Sequence, residues 1–116
     1  MLDMRVVSIH HYQIAVQPAR DGVLLVCLGG QFDMGVGTAL ADALRTAAQE
    51  AGVEQVFVDM QRVAFFDSHG IAGLVAGYEA ARSAGRRFSV TNARGMVKHI
   101  LDVTGLAEVL CQDATG

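Results

Sequence analysis

Two apolar runs, Val23–Leu28 and Val53–Met60, constrain this chain more than any other feature. Each has the length of a strand; Val23–Leu28 is nearly continuous in apolar residues, a pattern that suits a strand buried on both faces, and both runs are apolar enough that at least their central parts should be covered. Between them, Val36, Leu40, Ala43, Leu44 and Ala47 recur at helical spacing, and Gly52 closes the segment. This predicts a helix over roughly Gly35 to Ala51. Strand, helix and strand in that order imply parallel pairing through a right-handed crossover, so the fold class is α/β.

The same alternation continues along the chain. Ile71, Leu74, Val75 and Tyr78 mark a second helix face that ends near Ser83-Ala84-Gly85. Arg87 to Val90 follows as a strand. A third helix runs from about Gly95 to Val103 with Val97, Ile100 and Leu101 inward, and Leu106 to Cys111 reads as a short last strand or coil before a frayed tail. Ahead of the first apolar run, Tyr12 to Val16 alternates and ends at Pro18, as an edge strand would. The turn Arg20-Asp21-Gly22 makes it a hairpin with the strand after it, which Gly29-Gly30 should break. The sheet is therefore mixed, with four or five strands backed by three to five helices.

The chain has 116 residues, the size of a single domain, with its core over about residues 12–110. Its formal net charge is −3, and the small basic cluster Arg82, Arg86, Arg87 suits a solvated helix end better than a nucleic-acid face. No apolar run approaches the roughly 20 residues of a membrane helix, and the N-terminus lacks a signal-peptide pattern, so a cytoplasmic protein is expected. Cys27 and Cys111 lie far apart in apolar stretches and read as buried free thiols. The adjacent pair His10-His11 points to opposite sides of any strand and does not suit chelation; a flexible, solvated N-terminal segment is the expectation there. No metal or cofactor is expected.

The candidate site is the turn Asp67-Ser68-His69-Gly70, between the apolar run Val63-Ala64-Phe65-Phe66 and the second helix. Asp or Ser at that place is an N-cap, whose side-chain oxygen accepts from a free backbone N–H. The alternative is that Ser68 carries a phosphoryl group. This would add about −1.5 to −2 charges at a helix start, where free N–H groups and the macrodipole accommodate an anion. The dipeptide Ser68-His69 is not a catalytic dyad: neighbouring helical residues diverge by about 100°, and Gly-x-Ser-x-Gly is absent. Asp33, after Gly29-Gly30-Gln31-Phe32, is either a second cap or a partner contact at a strand exit. The glycines match neither a dinucleotide fingerprint nor a phosphate loop.

Four segments together resemble the STAS domain family: Gly30-Gln31-Phe32-Asp33, Val56-Phe57-Val58-Asp59, Val63 to Ile71, and Val97 to Leu106 with its closing Thr104-Gly105-Leu106. The pattern is most similar to bacterial anti-sigma factor antagonists and runs from about Tyr12 to Leu110. The resemblance implies a mixed sheet backed by helices, no cofactor, and a non-enzymatic, partner-switching role. It implies that the unmodified chain binds an anti-sigma factor, a serine kinase of the histidine-kinase ATPase type, and so releases a sigma factor. Phosphorylation of Ser68 by that kinase ends the complex, and a phosphatase resets it. Asp33, Asp67, Ser68, His69 and Gly70 form the implied partner-binding surface, on a monomer or weak dimer. His69 stands where Ser or Thr is usual, and Gln31 where an acid is usual. The wider family also contains STAS subunits that work without phosphorylation in stress-signalling or lipid-transport complexes, and that is the alternative function.

Overall fold

A computed structural model describes residues 5–9, 11–33 and 36–111. His10, the expected helix start at Gly35 and the expected frayed tail beyond Cys111 lie outside them. The elements in order are β1 (Arg5–Ile9), β2 (Tyr12–Val16), β3 (Val23–Phe32), α1 (Gly37–Ala48), β4 (Gln55–Phe66), α2 (Ser68–Ser83), β5 (Arg87–Thr91), α3 (Gly95–Val103) and α4 (Leu106–Leu110). The strands form one mixed sheet in the order β1-β2-β3-β4-β5, antiparallel at β1/β2 and β2/β3 and parallel from β3 to β5.

β1 corrects the sequence reading of this end. The segment before Tyr12 was expected to be flexible, yet it contains a strand. β1 is the edge, and β2 is an interior strand paired on both sides.

The parallel half explains why one sheet face is buried more deeply than the other. Both crossovers step the same way, from β3 to β4 and from β4 to β5, so two right-handed crossovers place α1 and α2 on the same face. Leu24, Val26 and Leu28 of β3 and Val56, Val58 and Met60 of β4 are buried beneath them. Leu25, Cys27 and Phe57 point the other way and are only half-buried. The apolar runs are therefore covered completely on one face, not on both.

Gly29-Gly30 does not break β3. The strand passes through two irregularities, in each of which β4 has one more residue than β3: Cys27/Gly29 against Asp59/Arg62, and Gly30/Gln31 against Val63/Phe65. Two insertions restore the alternation, so Phe66 returns to the same buried face as Met60. Gly30 has φ +88°, and a Cβ there would collide with the His11 carbonyl oxygen on the neighbouring chain segment. β4 consequently runs unbroken to Phe66 and delivers the chain directly to Asp67.

The last segment is a helix, α4, and not a strand or coil. The Thr104 hydroxyl donates to the Ile100 carbonyl at 2.8 Å, closing α3. Gly105 turns the chain at φ +79°, and Leu106 opens α4. The Thr-Gly-Leu motif is thus a helix stop, a left-handed turn and a helix start.

α1 and α2 approach each other closely. The sequence assigned the inner face of α2 to Ile71, Leu74, Val75 and Tyr78. Leu74 is buried, but the other three are half-buried, and the rest of the inner face is Gly70, Gly73, Gly77 and Ala81. A Cβ on Gly77 would lie 2.6 Å from Leu44 Cβ, and one on Gly73 would lie 3.0 Å from the Gly37 carbonyl oxygen. Leu40 and Leu44 of α1 fill the space that the missing side chains leave. Gly77→Val forces the helices apart and should lower unfolding stability by about 2–3 kcal/mol in urea titration. A variant as stable as wild type would show that the close approach is not needed.

Candidate functional site

α2 begins where β4 ends. Asp67 has extended backbone angles, and its N–H donates to the Phe32 carbonyl of β3 at 3.1 Å. One carboxylate oxygen, Oδ1, accepts the backbone N–H groups of His69 at 2.8 Å and Gly70 at 3.4 Å. The other, Oδ2, lies 3.3 Å from His69 Nδ1. Asp67 therefore holds the cap, and Ser68 is the first helical residue. Spacing alone left either residue as the cap; the structure assigns that role to Asp67 and leaves the Ser68 side chain out of it. Ser68 is exposed, and its hydroxyl has no hydrogen-bond partner among the described residues.

The floor of the site is aromatic. The Phe32 and Phe66 rings lie 5.3 Å apart, and Tyr12 extends the stack at 5.5 Å from Phe32. Gly70 rests on this floor: a Cβ there would be 2.9 Å from the Phe66 ring and 3.1 Å from the Phe32 carbonyl oxygen. Gly70 is buried, so it shapes the site without contributing to its surface. Across from α2, Gly37 of α1 abuts the backbone of His69; a Cβ there would come within 2.5 Å of the His69 carbonyl oxygen.

Asp33 is at the same end of the sheet. Phe32 and Phe66 are register partners in parallel strands, so Asp33 and Asp67 leave adjacent strands at one level. The Asp33 carbonyl accepts from Val36 N–H at 3.0 Å, turning the chain toward α1. Among the described residues no hydrogen bond joins its side chain to Asp67 or Ser68. Asp33, Asp67, Ser68 and His69 thus share one end of the molecule, but only Asp67 and His69 touch through their side chains. An open groove of about 330 Å³ continues from His69 between the two helices, with Thr38 and Arg45 of α1 on its wall. These two residues were not singled out from the sequence, and they fall on the solvent side of α1 with no chemical signature of their own.

The electrostatics follow from the cap. Partial desolvation pushes the Asp67 carboxyl up, but the His69 N–H, the His69 ring and the Gly70 N–H together hold it below its ordinary value. No base is hydrogen-bonded to the Ser68 hydroxyl among the described residues, and the His69 ring faces Asp67, which is not the geometry of a serine nucleophile. Cys27 and Cys111 are free and half-buried, not fully buried. Burial pushes both thiols up, helped by Asp59 at Cys27 and by Asp102 at Cys111, so both stay protonated near neutral pH. Among the described residues there is no His/Cys/Asp/Glu cluster that could hold a metal ion, and no helix is long and apolar enough to cross a membrane.

The model of the family described as Mlab, STAS domain, matches residues 16–112. The chain belongs to the STAS domain family. It is also similar, at 25% identity over 89 residues, to an anti-sigma F factor antagonist from Paenibacillus polymyxa, with 77% of this chain and 76% of that protein covered. In fold it is similar to the anti-sigma factor antagonist SpoIIAA in its unphosphorylated form, with a TM-score of 0.71 at 17% identity over 82% of this chain and 83% of the other. An anti-sigma factor antagonist from Mycobacterium paratuberculosis superposes with a TM-score of 0.71 at 24% identity, over 90% and 87% of the two chains.

Within this STAS domain the cap makes a pH prediction. Because the folded-state value of Asp67 is depressed, its stabilising effect is fully present above the ordinary carboxyl value of 3.8 and is lost as pH falls through the lowered one. Asp67→Ala should melt a few degrees below wild type at neutral pH, and the two melting curves should converge on acidification. A gap that persists unchanged below that range would show that the carboxylate is not the cap.

Proposed function

We propose that this STAS domain is an anti-sigma factor antagonist switched by phosphorylation of Ser68. The observation that carries the reading is the exposed Ser68 hydroxyl, without a hydrogen-bond partner among the described residues, on the first residue of a helix already capped by Asp67. A kinase can reach that oxygen without breaking any side-chain hydrogen bond among the described residues. In the transfer, a bond forms between Ser68 Oγ and the γ-phosphorus of ATP. The bridge to the β-phosphate breaks, ADP leaves, and the hydroxyl proton passes to a base of the kinase.

The unmodified surface, with Asp33, Asp67, Ser68 and His69 at one end of the sheet, binds an anti-sigma factor that is itself the serine kinase, and a sigma factor is released. The phosphoryl group adds about −1.5 to −2 charges beside Asp67. Its charge, its desolvation cost and its bulk then weaken the contact at its centre, where a few groups dominate affinity. A phosphatase restores the binding state. The similarity to anti-sigma factor antagonists in both sequence and fold supports this assignment.

A second reading is a STAS subunit that binds partners without phosphorylation. Two observations favour it: the family model that matches is of the Mlab type, and a His follows the serine. Incubation with the cognate kinase and ATP, followed by mass spectrometry, separates the two: the first reading requires a gain of about 80 Da on the Ser68 peptide, and the second requires none. In calorimetric titration with the same partner, Ser68→Ala should bind as unmodified wild type does, and Ser68→Glu at least about tenfold more weakly. Equal affinities would contradict a phosphorylation switch.

A further inference from the structure

Gly37 opens α1, yet nothing in its backbone calls for glycine. Its φ is not positive, and glycine is a poor helix former. The reason for glycine here is room. The three atoms nearest to a Cβ at this position all belong to the His69 backbone: the carbonyl oxygen at 2.5 Å, the carbonyl carbon at 3.2 Å and Cα at 3.6 Å. Gly77 differs in what it faces, because the atoms nearest to its Cβ all belong to the Leu44 side chain. A side chain can repack, whereas a carbonyl in the first turn of a helix moves only if the turn moves.

Both partners of this contact are held from behind. On the far side of the turn, a Cβ on Gly70 would be 2.9 Å from the Phe66 ring, and the Asp67 N–H is tied to the Phe32 carbonyl at 3.1 Å. Behind Gly37, the Val36 side chain is buried in the core, and the Val36 N–H donates to the Asp33 carbonyl at 3.0 Å. Asp33 and Gly37 are thus braced against each other, and Gly37 meets the turn that carries Ser68.

We propose that Gly37 is a positioning residue for Ser68: its missing side chain sets the spacing between the Ser68 turn and the Asp33 end of β3. The proposal rests on Ser68 as the modified residue and adds what fixes its place. Asp33 and Ser68 follow different strands, and a protein that touches both needs them at one spacing. The register of β3 and β4 sets that spacing along the strands. The contact of Gly37 with His69 sets it across the helix pair. A carbon–oxygen contact relaxes to about 3.3 Å, so a methyl group at position 37 pushes the His69 carbonyl away by roughly 0.8 Å. Productive sites hold their groups to within about 0.5 Å, and a misplacement of about 1 Å at a reacting group costs up to about a hundredfold in rate. Gly37→Ala leaves every side chain of the surface present and alters their spacing.

Gly77→Ala is the matched comparison. Both substitutions crowd the same helix pair and should lower Tm, but Gly77 lies about 12 Å further along α2 than His69. In crystals of the protein alone, the distance between the Asp33 and Ser68 Cα atoms should change by at least about 0.5 Å in Gly37→Ala and stay as in wild type in Gly77→Ala. With ATP and the kinase that modifies wild-type Ser68, kcat/KM should fall at least about tenfold for Gly37→Ala and stay within about twofold for Gly77→Ala. Equal losses in the two variants would make Gly37 a packing residue only and overturn the proposal, as would an unchanged spacing or a wild-type rate in Gly37→Ala. Should Gly37→Ala not fold, Gly73→Ala reaches the same start of α1 through a lighter contact, 3.0 Å from the Gly37 carbonyl oxygen. It must then change the spacing of Asp33 and Ser68 more than Gly77→Ala does, and a spacing like wild type overturns the proposal. If no kinase modifies Ser68, the switch reading fails, and the crystal spacing still decides whether Gly37 sets the turn.

Discussion

The close approach of α1 to α2 is the constraint on which the rest of this STAS domain depends. Gly37, Gly73 and Gly77 remove the side chains that would hold the helices apart, and Leu40 and Leu44 occupy the vacated space. The crossovers put both helices on one face, and because β3 and β4 are parallel and end in register, the helices start at the same end of the sheet, above the exits of β3 and β4. The helix pair therefore fixes where the first turn of α2 sits. Gly37 against the His69 carbonyl and Gly70 against the Phe66 ring hold that turn from two sides. A site built this way is positioned by rigid elements, with only its outermost atoms left to solvent.

The turn itself divides its labour. Asp67 satisfies the helix start, Gly70 seats it on the aromatic floor, and His69 ties back to Asp67. Ser68 takes no part in any of these contacts. A residue with no side-chain hydrogen bond among the described residues can be modified without breaking one, and with the His69 and Gly70 N–H groups taken by the Asp67 carboxylate, the Ser68 hydroxyl is not needed as the cap. The same arrangement explains why a phosphate at this place should alter what the surface attracts and leave the fold as it is.

Much of this was legible from residue types. Apolar periodicity located β3, α1, β4, α2 and β5, and their alternation established the parallel half of the sheet. β1 was missed because Arg5-Val6-Val7-Ser8-Ile9 does not alternate and His10-His11 carries none of the Gly, Asn or Pro cues of a hairpin turn. α4 was left as strand or coil because five residues are too few for periodicity to separate the two states. The glycine face of α2 escaped for a different reason: glycine has no side chain, so a search for apolar residues selects Ile71, Val75 and Tyr78 on the neighbouring flank. At the site, Asp67 and Ser68 are equally good caps by type, and only the extended backbone at Asp67 decides between them. The bulges that return Phe66 to the core have no sequence signature beyond Gly29-Gly30, which also reads as a strand end.

The central claim is that the packed helix pair presents Ser68 on a surface that modification changes without unfolding. Amide hydrogen exchange across α1 and the first turns of α2, compared between the unmodified protein and protein with phosphoserine at position 68, tests it most directly. The account predicts matching protection in both states, with differences confined to the exposed residues of the turn. Loss of protection across Leu40–Leu44 or Gly73–Gly77 on phosphorylation would contradict it, because the phosphoryl group would then act by loosening the fold.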